Sequence, residues 1–324
     1  MIDVHAGDRA LSIVQRRFPD VYKAPEKRTA ELLSAFLKPH MKALRPRDKE
    51  KKLDYYLRFM QIFSGPRWLL VCRKIAAAFT DANIDVTDII NGVLETAFAD
   101  GLNEAAYILS RGKVNAWPIT VEVVSKLAAA KVIDLHKRKL KRGKDIAYNE
   151  TRTQSAIHAA IYQGIMPDKL AEYVAKEFSR QRQNESIAAA RAYIYSASDS
   201  GAYMAGNEAQ KLGIDIEKTW LSIMDMRVRP SHKHLHGVTI PLDDMFHGYN
   251  GDLRYPHDPE AVPEETYRCR CRMVVHAKGR APGEYSREIL PTQTYEYRKW
   301  RDRQIQKAGG ELELLKLHKR LGRG

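Results

Sequence analysis

The chain has 324 residues, 44% hydrophobic and 29% charged, which is enough for a sizeable core and favours two folded units over one. No run of about 18 apolar residues occurs, which excludes a transmembrane helix, and the N-terminus lacks the pattern of a signal peptide. Three cysteines do not form a disulfide framework, so we expect a cytoplasm-like compartment. The net charge of +14 favours a polyanionic partner, namely nucleic acid, a membrane surface or an acidic protein, although a charged, soluble surface fits the composition as well.

The N-terminal half has the pattern of a helical region. Residues 37–52 hold seven Lys/Arg and two prolines, which predicts an irregular basic segment before a helix near residues 53–63. Ser64 is a candidate N-cap for the apolar run that follows. Apolar residues at helical spacing predict a further helix from Val86 to Leu109, and another begins after Thr120.

A basic segment is expected at the end of the helix that follows Thr120. Residues 131–145 carry seven Lys/Arg against two acids, so the segment is not expected to be buried. It is either a solvated helix end, to which the macrodipole draws cations, or a patch that contacts phosphate. Beyond it we predict helices over 149–165, 166–178 and 184–213, the last with Gly213 as its C′ residue.

The sequence changes character after Gly213. A short strand is predicted around residues 219–224, followed by a segment rich in His, Asp, Pro and Gly. The stretch YRCRCRMVVHA then predicts a strand, in which Cys269 and Cys271 share the inner face and the intervening arginines face outward. The last stretch, residues 297–324, predicts a basic helical tail broken at two glycines.

These patterns predict an α+β protein in three parts. Residues 1–213 form a mostly α-helical region. Residues 214–290 form a small, loop-rich α+β domain, and residues 291–324 form the basic helical tail.

The small domain contains an ordered set of motifs: a Trp, an Asp-x-Arg-Val-Arg-x-x-His motif, a Gly, an Asp-Pro loop and a Cys-Arg-Cys strand. The motif residues are Trp220, Asp225, Arg227, Arg229, His232, Gly237, Asp258, Cys269, Arg270 and Cys271. This set resembles the pattern of the phage head-morphogenesis proteins, the Mu F-like minor head protein family. The resemblance implies that the helical region, residues 1–213, faces the portal and capsid. One departure is that the Thr-Glu pair that often precedes the motif is replaced here by Ala197-Ser198.

The resemblance implies a non-enzymatic minor capsid protein of a tailed phage or prophage. Such proteins are made in the host bacterial cytoplasm, join the head during assembly, lie in the capsid interior near the portal, and take part in genome ejection. The implied partners are the portal protein, the major capsid protein and double-stranded DNA bound without sequence specificity. Cationic patches suit contact with packaged genome. The candidate DNA contacts are Lys137, Arg138, Lys139, Lys141, Arg142, Arg298, Lys299, Arg301 and Arg303.

The paired cysteines leave three interpretations open. Asp225, His232, Cys269 and Cys271 offer ligands that zinc accepts, and the spare candidate ligands are His234, His236, His247 and His257. A labile disulfide is a second interpretation, although i,i+2 spacing fits disulfide geometry poorly. In the third interpretation no cofactor is bound: the thiols fill a small core, Asp225 pairs with Arg227 or Arg270, and His232 bonds to the backbone.

Two other function classes remain as alternatives. A Cys/His-dependent hydrolase would pair His232 with Cys269 or Cys271. A nuclease would use His232 or His236 as its base, with Arg227 or Arg229 on phosphate. A plain non-specific DNA-binding protein would show a steep salt dependence and no association with capsid components.

Overall fold

The computed structural model describes residues 5–111, 119–280 and 295–307. It contains ten α-helices and five short strands within those ranges. The helices are α1 Asp8–Leu37, α2 Lys52–Gln61, α3 Pro66–Asn91, α4 Leu94–Arg111, α5 Val121–Ala129, α6 Arg142–Tyr162, α7 Pro167–Lys211, α8 Pro230–Leu235, α9 Pro263–Thr266 and α10 Tyr295–Lys307. The strands are β1 Ile216–Leu221, β2 Thr239–Pro241, β3 Phe246–His247, β4 Asp252–Leu253 and β5 Arg272–Ala277. The predicted class, a mostly helical α+β protein, is confirmed.

The chain divides into two compact units built from separate stretches. The site unit comprises Met1–Val14, Ile90–Lys137 and Ala188–Gly324, and the helical unit comprises Gln15–Ile89 and Arg138–Ile187. In the part of the chain described here, no helix combines the length and the apolar character needed to cross a lipid bilayer. The division into 1–213, 214–290 and 291–324 stays a prediction.

Aromatic side chains form the core of the helical unit. Phe79 of α3 and Phe178 of α7 are fully buried, with their ring centroids 4.6 Å apart in an edge-to-face arrangement. Tyr22 of α1 is buried beside them, and its hydroxyl lies 2.6 Å from the hydroxyl of Ser186. Aromatic pairs of this geometry stabilise a core beyond the area that they bury.

The site unit contains both small sheets. β1 is the central strand of an antiparallel sheet with the order β2-β1-β5, in which Trp220 pairs with Met273. β3 and β4 form a separate two-stranded ribbon that pairs Phe246 with Leu253. Glu104 of α4 lies 3.5 Å from Arg272 at the start of β5, so an ion pair joins that helix to the sheet.

Several predicted element boundaries were wrong. Ser64 is not an N-cap, since α3 begins at Pro66 and the Ser64 hydroxyl donates to the Gln61 carbonyl. The predicted helix from Val86 to Leu109 is divided between α3 and α4 by a turn at Gly92. Two helices predicted over 166–178 and 184–213 are one helix, α7, because no Gly or Pro interrupts the connecting residues.

The basic segment differs from its prediction in a way that matters for function. α5 ends at Ala129, and residues 130–141 are not helical, so most of the cationic side chains lie on an irregular connection rather than on a helix end. Lys131 has a φ of 55°, a left-handed backbone conformation that terminates helices. Only the last four residues of the predicted basic segment, 142–145, belong to α6.

Candidate functional site

A cluster of two thiols and one imidazole lies in the core of the site unit. His232 Nδ1 is 3.5 Å from Cys269 Sγ and 3.4 Å from Cys271 Sγ. The three side chains are almost completely buried, with exposures of 1%, 3% and 2%. Both cysteines are free thiols in this structure. We call these three residues the thiol–imidazole cluster.

Short elements position the cluster. His232 lies on α8, which begins with Pro230, a residue whose fixed φ suits the first position of a helix. Cys269 and Cys271 lie on the irregular segment just before β5, so the prediction that they belong to the strand was wrong by one to three residues. The predicted alternation holds: both cysteines are buried, Arg268 is exposed and Arg270 is partly exposed.

Trp220 forms one wall of the cluster. Its ring lies edge to face with the His232 ring at 5.1 Å and with the Phe246 ring at 5.1 Å. The indole N–H donates to Ser222 Oγ at 3.1 Å, and Ser222 Oγ in turn lies 3.3 Å from Cys271 Sγ. The indole nitrogen is therefore satisfied inside a small core, as a buried tryptophan requires.

A buried carboxylate orients the imidazole. Glu265, fully buried, accepts from His232 Nε2 at 3.0 Å and from the Ser231 hydroxyl at 3.2 Å. Its other oxygen accepts from the backbone and side-chain nitrogens of Asn250. Burial raises the pKa of Glu265, but the hydrogen bonds from Asn250 and His232 outweigh burial and hold the pKa below its ordinary value.

The tautomer of His232 follows from this contact. A carboxylate can only accept, so Nε2 carries the proton and Nδ1 presents its lone pair to the two sulfurs. Burial raises the pKa of Cys269 well above its ordinary value. Hydrogen bonds with Cys269, and then with His232 and Ser222, lower the pKa of Cys271 in spite of burial. The cluster thus favours one thiolate.

Arginines fasten the loops around the cluster. Arg270 places one nitrogen 2.7 Å from each carboxylate oxygen of Asp225, and the backbone N–H of Arg227 donates to the same carboxylate at 2.9 Å. The Arg270 guanidinium holds the pKa of Asp225 below its ordinary value. Arg229 donates to the backbone carbonyls of Glu265 and Tyr267. Both arginines therefore connect the loop after β1 to the segment that carries the cysteines.

These pairings correct one expected ligand. Asp225 does not join the thiol–imidazole cluster, because its carboxylate is engaged by Arg270 and by the Arg227 backbone. Among the residues that the structure describes, the buried metal-ligand types that converge at this point are His232, Cys269 and Cys271. His232 bonds to a carboxylate and not to the backbone, which also differs from the expectation of the cofactor-free interpretation.

A second buried network lies beside the first. Asp199 of α7 has one oxygen 2.9 Å from His257 Nδ1 and the other 3.2 Å from His5 Nε2, an ion-pair distance without hydrogen-bond geometry. The His5 ring stacks on Tyr195 with centroids 3.8 Å apart. Burial raises the pKa of Asp199, but the nearby charge of His5 and the hydrogen bond with His257 lower it below its ordinary value.

Hydrogen bonds distinguish this network from a metal site. His5 Nδ1 accepts from the Gly7 N–H at 3.0 Å, so the proton of a neutral His5 ring is on Nε2, directed at Asp199. His257 Nε2 donates to the Cys269 carbonyl at 3.0 Å. The His5 lone pair on Nδ1 is therefore committed to the Gly7 N–H, and both nitrogens of His257 face acceptors, so neither ring presents a free lone pair to a metal. His257 also links the two networks, because it holds the backbone of a cluster cysteine.

Asp258 fastens the adjacent turn. Its carboxylate accepts two bonds from the Arg254 guanidinium, at 2.9 and 2.7 Å, and one each from the backbone N–H groups of Arg254 and Glu260. Burial raises the pKa of Asp258, but these hydrogen bonds lower it below its ordinary value.

Gly237, another motif residue, has a φ of +81°, which favours glycine, and donates its N–H to the Trp220 carbonyl.

Lys218 of β1 is a buried cation that sequence reasoning missed. Its ammonium donates to the Arg254 carbonyl at 2.7 Å and lies 5.2 Å from the ring centroids of Tyr203 and Phe246. Burial lowers the pKa of Lys218 to about 8. Lys218 shares its strand face with Ile216 and Trp220, so alternation was an available signal, but lysine is so seldom buried that the residue type points the other way.

The spare histidines lie apart from the cluster. His234 is exposed, His236 Nδ1 accepts from the Ser222 N–H, and His247 pairs with Asp252 at the surface. His257 belongs to the second network.

Sequence reasoning missed Glu265, Asp199 and His5. The one available signal was for Glu265, whose position four residues before Cys269 puts a carboxylate close in sequence to the paired cysteines.

The candidate DNA contacts lie in two places. Lys137, Lys139 and Lys141 are exposed on the irregular connection, and Arg138 is half-buried. Arg142 is exposed on α6 and lies 2.6 Å from Asp81. In α10, Arg298, Lys299 and Arg303 are exposed while Tyr297 is buried against Tyr107. The side chain of Arg301, the tail after residue 307 and its predicted glycine break lie outside the described residues.

Comparison with known proteins finds a similar protein family and similar individual proteins. The family model described as "Phage Mu protein F like protein" matches residues 151–274. This range includes the whole thiol–imidazole cluster and ends within β5. Over these residues the chain is similar to that family. The resemblance to the Mu F-like minor head protein family is therefore confirmed for this region. No solved structure matches the chain.

Two curated relatives have named roles. The Minor head protein GP7 of Bacillus phage SPP1 is 23% identical over 204 residues, which are 61% of this chain and 64% of that protein. The NAD(+)–arginine ADP-ribosyltransferase EFV of Enterococcus faecalis is 25% identical over 152 residues, 46% of this chain and 29% of that protein. The chain thus spans less than two thirds of the length of either relative.

Proposed function

We propose that this protein is a minor head protein that acts in the head morphogenesis of a tailed phage or prophage. The observation that carries the proposal is the Mu F-like match over residues 151–274, together with the similarity to a named minor head protein. The buried networks support a structural role for the matched region. Their polar groups hold loops to one another, and an apolar core of six residues could not do so alone.

The proposed partners are the portal protein and the major capsid protein. The protein would be made in the host bacterial cytoplasm, enter the assembling head, and lie in the capsid interior near the portal. A place beside the packaged genome agrees with the net charge of +14, since a cationic protein gains free energy from counterion release on contact with phosphate. Participation in genome ejection belongs to the same proposal.

Contact with DNA is proposed for the irregular connection and for α10. Lys137, Lys139 and Lys141 are exposed at every second residue of a segment without regular structure, so the segment can follow a phosphate backbone. Tyr297 and Trp300 of α10 pack edge to face on Tyr107 of α4, and the helix exposes Arg298 and Lys299. Phosphate contacts of this kind carry no sequence information, so the proposed binding is non-specific.

Association with heads tests the proposal. Quantitative mass spectrometry of purified proheads and virions, from a phage that carries this gene, should find the protein at low copy number relative to the major capsid protein. A phage that lacks the gene should produce heads of altered yield or form. Absence from every head form, with normal heads in the deletion phage, would contradict the proposed role.

DNA binding is tested separately. Lys137→Gln, Lys139→Gln and Lys141→Gln together should weaken binding to duplex DNA of any sequence. They should also lower the slope of log affinity against log salt by about 0.9 for each phosphate that is no longer neutralised. The matched control removes three exposed lysines elsewhere, Lys74, Lys169 and Lys176. An equal weakening of binding in both variants would show that net charge alone is responsible.

Enzymatic activity is the alternative that one relative's name raises, and it stays an alternative for two reasons. The match covers 29% of that transferase, so the named activity belongs to a protein most of which has no counterpart here. The candidate base and nucleophiles, His232, Cys269 and Cys271, are at most 3% exposed and so are closed to a substrate in this structure. Assays for DNA cleavage and for NAD(+) consumption would test it, with His232→Ala as the variant that abolishes any activity.

A further inference from the structure

We propose that the thiol–imidazole cluster is a structural zinc site, with Cys269, Cys271 and His232 as its protein ligands and Glu265 as the carboxylate that orients the imidazole. This inference is independent of the role in head assembly. It concerns what holds the Mu F-like region together.

The donor atoms have the spacing that zinc requires. Zinc–sulfur bonds of about 2.3 Å and zinc–nitrogen bonds of about 2.0–2.1 Å at tetrahedral angles place sulfur and nitrogen about 3.5 Å apart. The two sulfur–nitrogen distances in the cluster are 3.5 and 3.4 Å. All three donor atoms lie within 4.8 Å of one another.

Hydrogen bonds around the cluster orient the imidazole and one of the sulfurs. Glu265 accepts the proton of His232 Nε2, which leaves Nδ1 as a bare donor and forms the carboxylate–histidine pair that accompanies metal-bound imidazoles. The backbone N–H of Cys271 points at Cys269 Sγ at 3.4 Å, a contact that supports negative charge on sulfur. Two thiolates and a neutral imidazole suit zinc better than magnesium or calcium, which prefer oxygen ligands.

A metal would add a cross-link to the arginine and carboxylate contacts that already join these segments. The apolar cluster around the thiols contains six buried residues, two of which are the cysteines themselves. The ligands come from α8 and from the segment before β5, which are 37 and 39 residues apart in the chain. Small cores of this size gain most from a structural metal. Three protein donors would leave the fourth position of a tetrahedral zinc to a ligand from outside these three residues.

Metal analysis of the full-length protein is the first test. The protein is produced in zinc-supplemented medium, purified without chelator or metal-affinity resin, and its zinc content is measured by inductively coupled plasma mass spectrometry. We expect close to one zinc per chain in the wild type and in Cys72→Ser, a control that removes the third cysteine in the helical unit. Asp225→Asn should also retain zinc, while Cys269→Ser/Cys271→Ser should lose it.

X-ray absorption at the zinc edge of the wild type gives a test that does not depend on whether a variant folds. The expected spectrum has two sulfur neighbours at about 2.3 Å and nitrogen or oxygen neighbours at about 2.0 Å. Substitution with cobalt should give thiolate-to-metal charge-transfer bands in the wild type and none in the double variant. Zinc-free wild-type protein with an unchanged melting curve after zinc addition would overturn the proposal, as would zinc without sulfur neighbours or bound iron or copper in its place.

Discussion

Replacement of Gly101 by alanine should strongly destabilise the site unit, because α4 and α7 cross there backbone against backbone. A Cβ atom at Gly101 would lie 1.9 Å from the Ser198 carbonyl oxygen and 2.6 Å from its carbon. The contact is reciprocal, since a Cβ atom at Gly201 would lie 2.2 Å from the Phe98 carbonyl oxygen. Ser198 directly precedes Asp199, so the crossing also positions the second buried network.

The expected magnitude follows from two opposing effects. Alanine in a helix interior is favoured over glycine by about 1 kcal/mol. Ordinary contact begins near 3.4 Å, so an atom at 1.9 Å forces the two helix backbones apart by more than an ångström. Overpacking costs about 1–3 kcal/mol where side chains can yield, and a backbone carbonyl yields less than a side chain. The upper end of that cost less the gain for alanine gives a net loss of about 2 kcal/mol or more in the free energy of unfolding.

Urea denaturation followed by far-UV circular dichroism measures this loss, with Gly143→Ala as the matched control. Gly143 lies in α6 with nothing within 4 Å of a Cβ atom, so the same substitution there should raise stability by up to about 1 kcal/mol. The two variants should therefore change stability in opposite directions. A Gly101→Ala protein as stable as the wild type would refute the close crossing of α4 and α7.

Three further predictions concern buried charges. The lowered pKa of Asp258 contributes stability to the wild type that is lost as the pH falls through that pKa, below about pH 4. The free energy of unfolding should therefore fall less steeply with decreasing pH in Asp258→Asn than in the wild type, and acid titration of both proteins measures the difference. Lys218 has a folded pKa of about 8, below its ordinary 10.5, so wild-type stability should rise relative to Lys218→Met as the pH increases between these values, and a constant difference would contradict this. Glu265→Ala should cost about 3 kcal/mol or more in urea denaturation, since it leaves buried donors of Asn250 and His232 without an acceptor, and Glu265→Gln should cost less.

Local patterns determined much of the small domain from the sequence alone. The alternation of arginine with cysteine predicted which side chains face inward, because successive residues of an extended chain point to opposite sides. Gly213 has the positive φ, +82°, expected of a residue that follows a helix end. The motif order identified the Mu F-like resemblance. Each of these signals spans a few residues or a fixed order of residues, which a sequence displays directly.

Element boundaries were less predictable where local preference is weak. Apolar spacing continued across Gly92, so one helix was predicted where a turn separates α3 from α4. The basic connection was predicted as a helix end, since lysine and arginine favour helices, yet it is irregular from residue 130 to residue 141.

The convergence of the buried networks was decided by tertiary structure alone. Asp199 meets His257 across 58 residues, and His232 meets the cysteines across 37 and 39. The antiparallel pairing of β1 with β5 sets Trp220 opposite Met273, which places the loop after β1 beside the cysteine segment. Periodicity reports which face a side chain occupies, but not which distant loop that face will meet. For that reason the sequence predicts Asp225 as a metal ligand. In the fold its carboxylate is instead paired with Arg270, and the carboxylate beside His232 is that of Glu265.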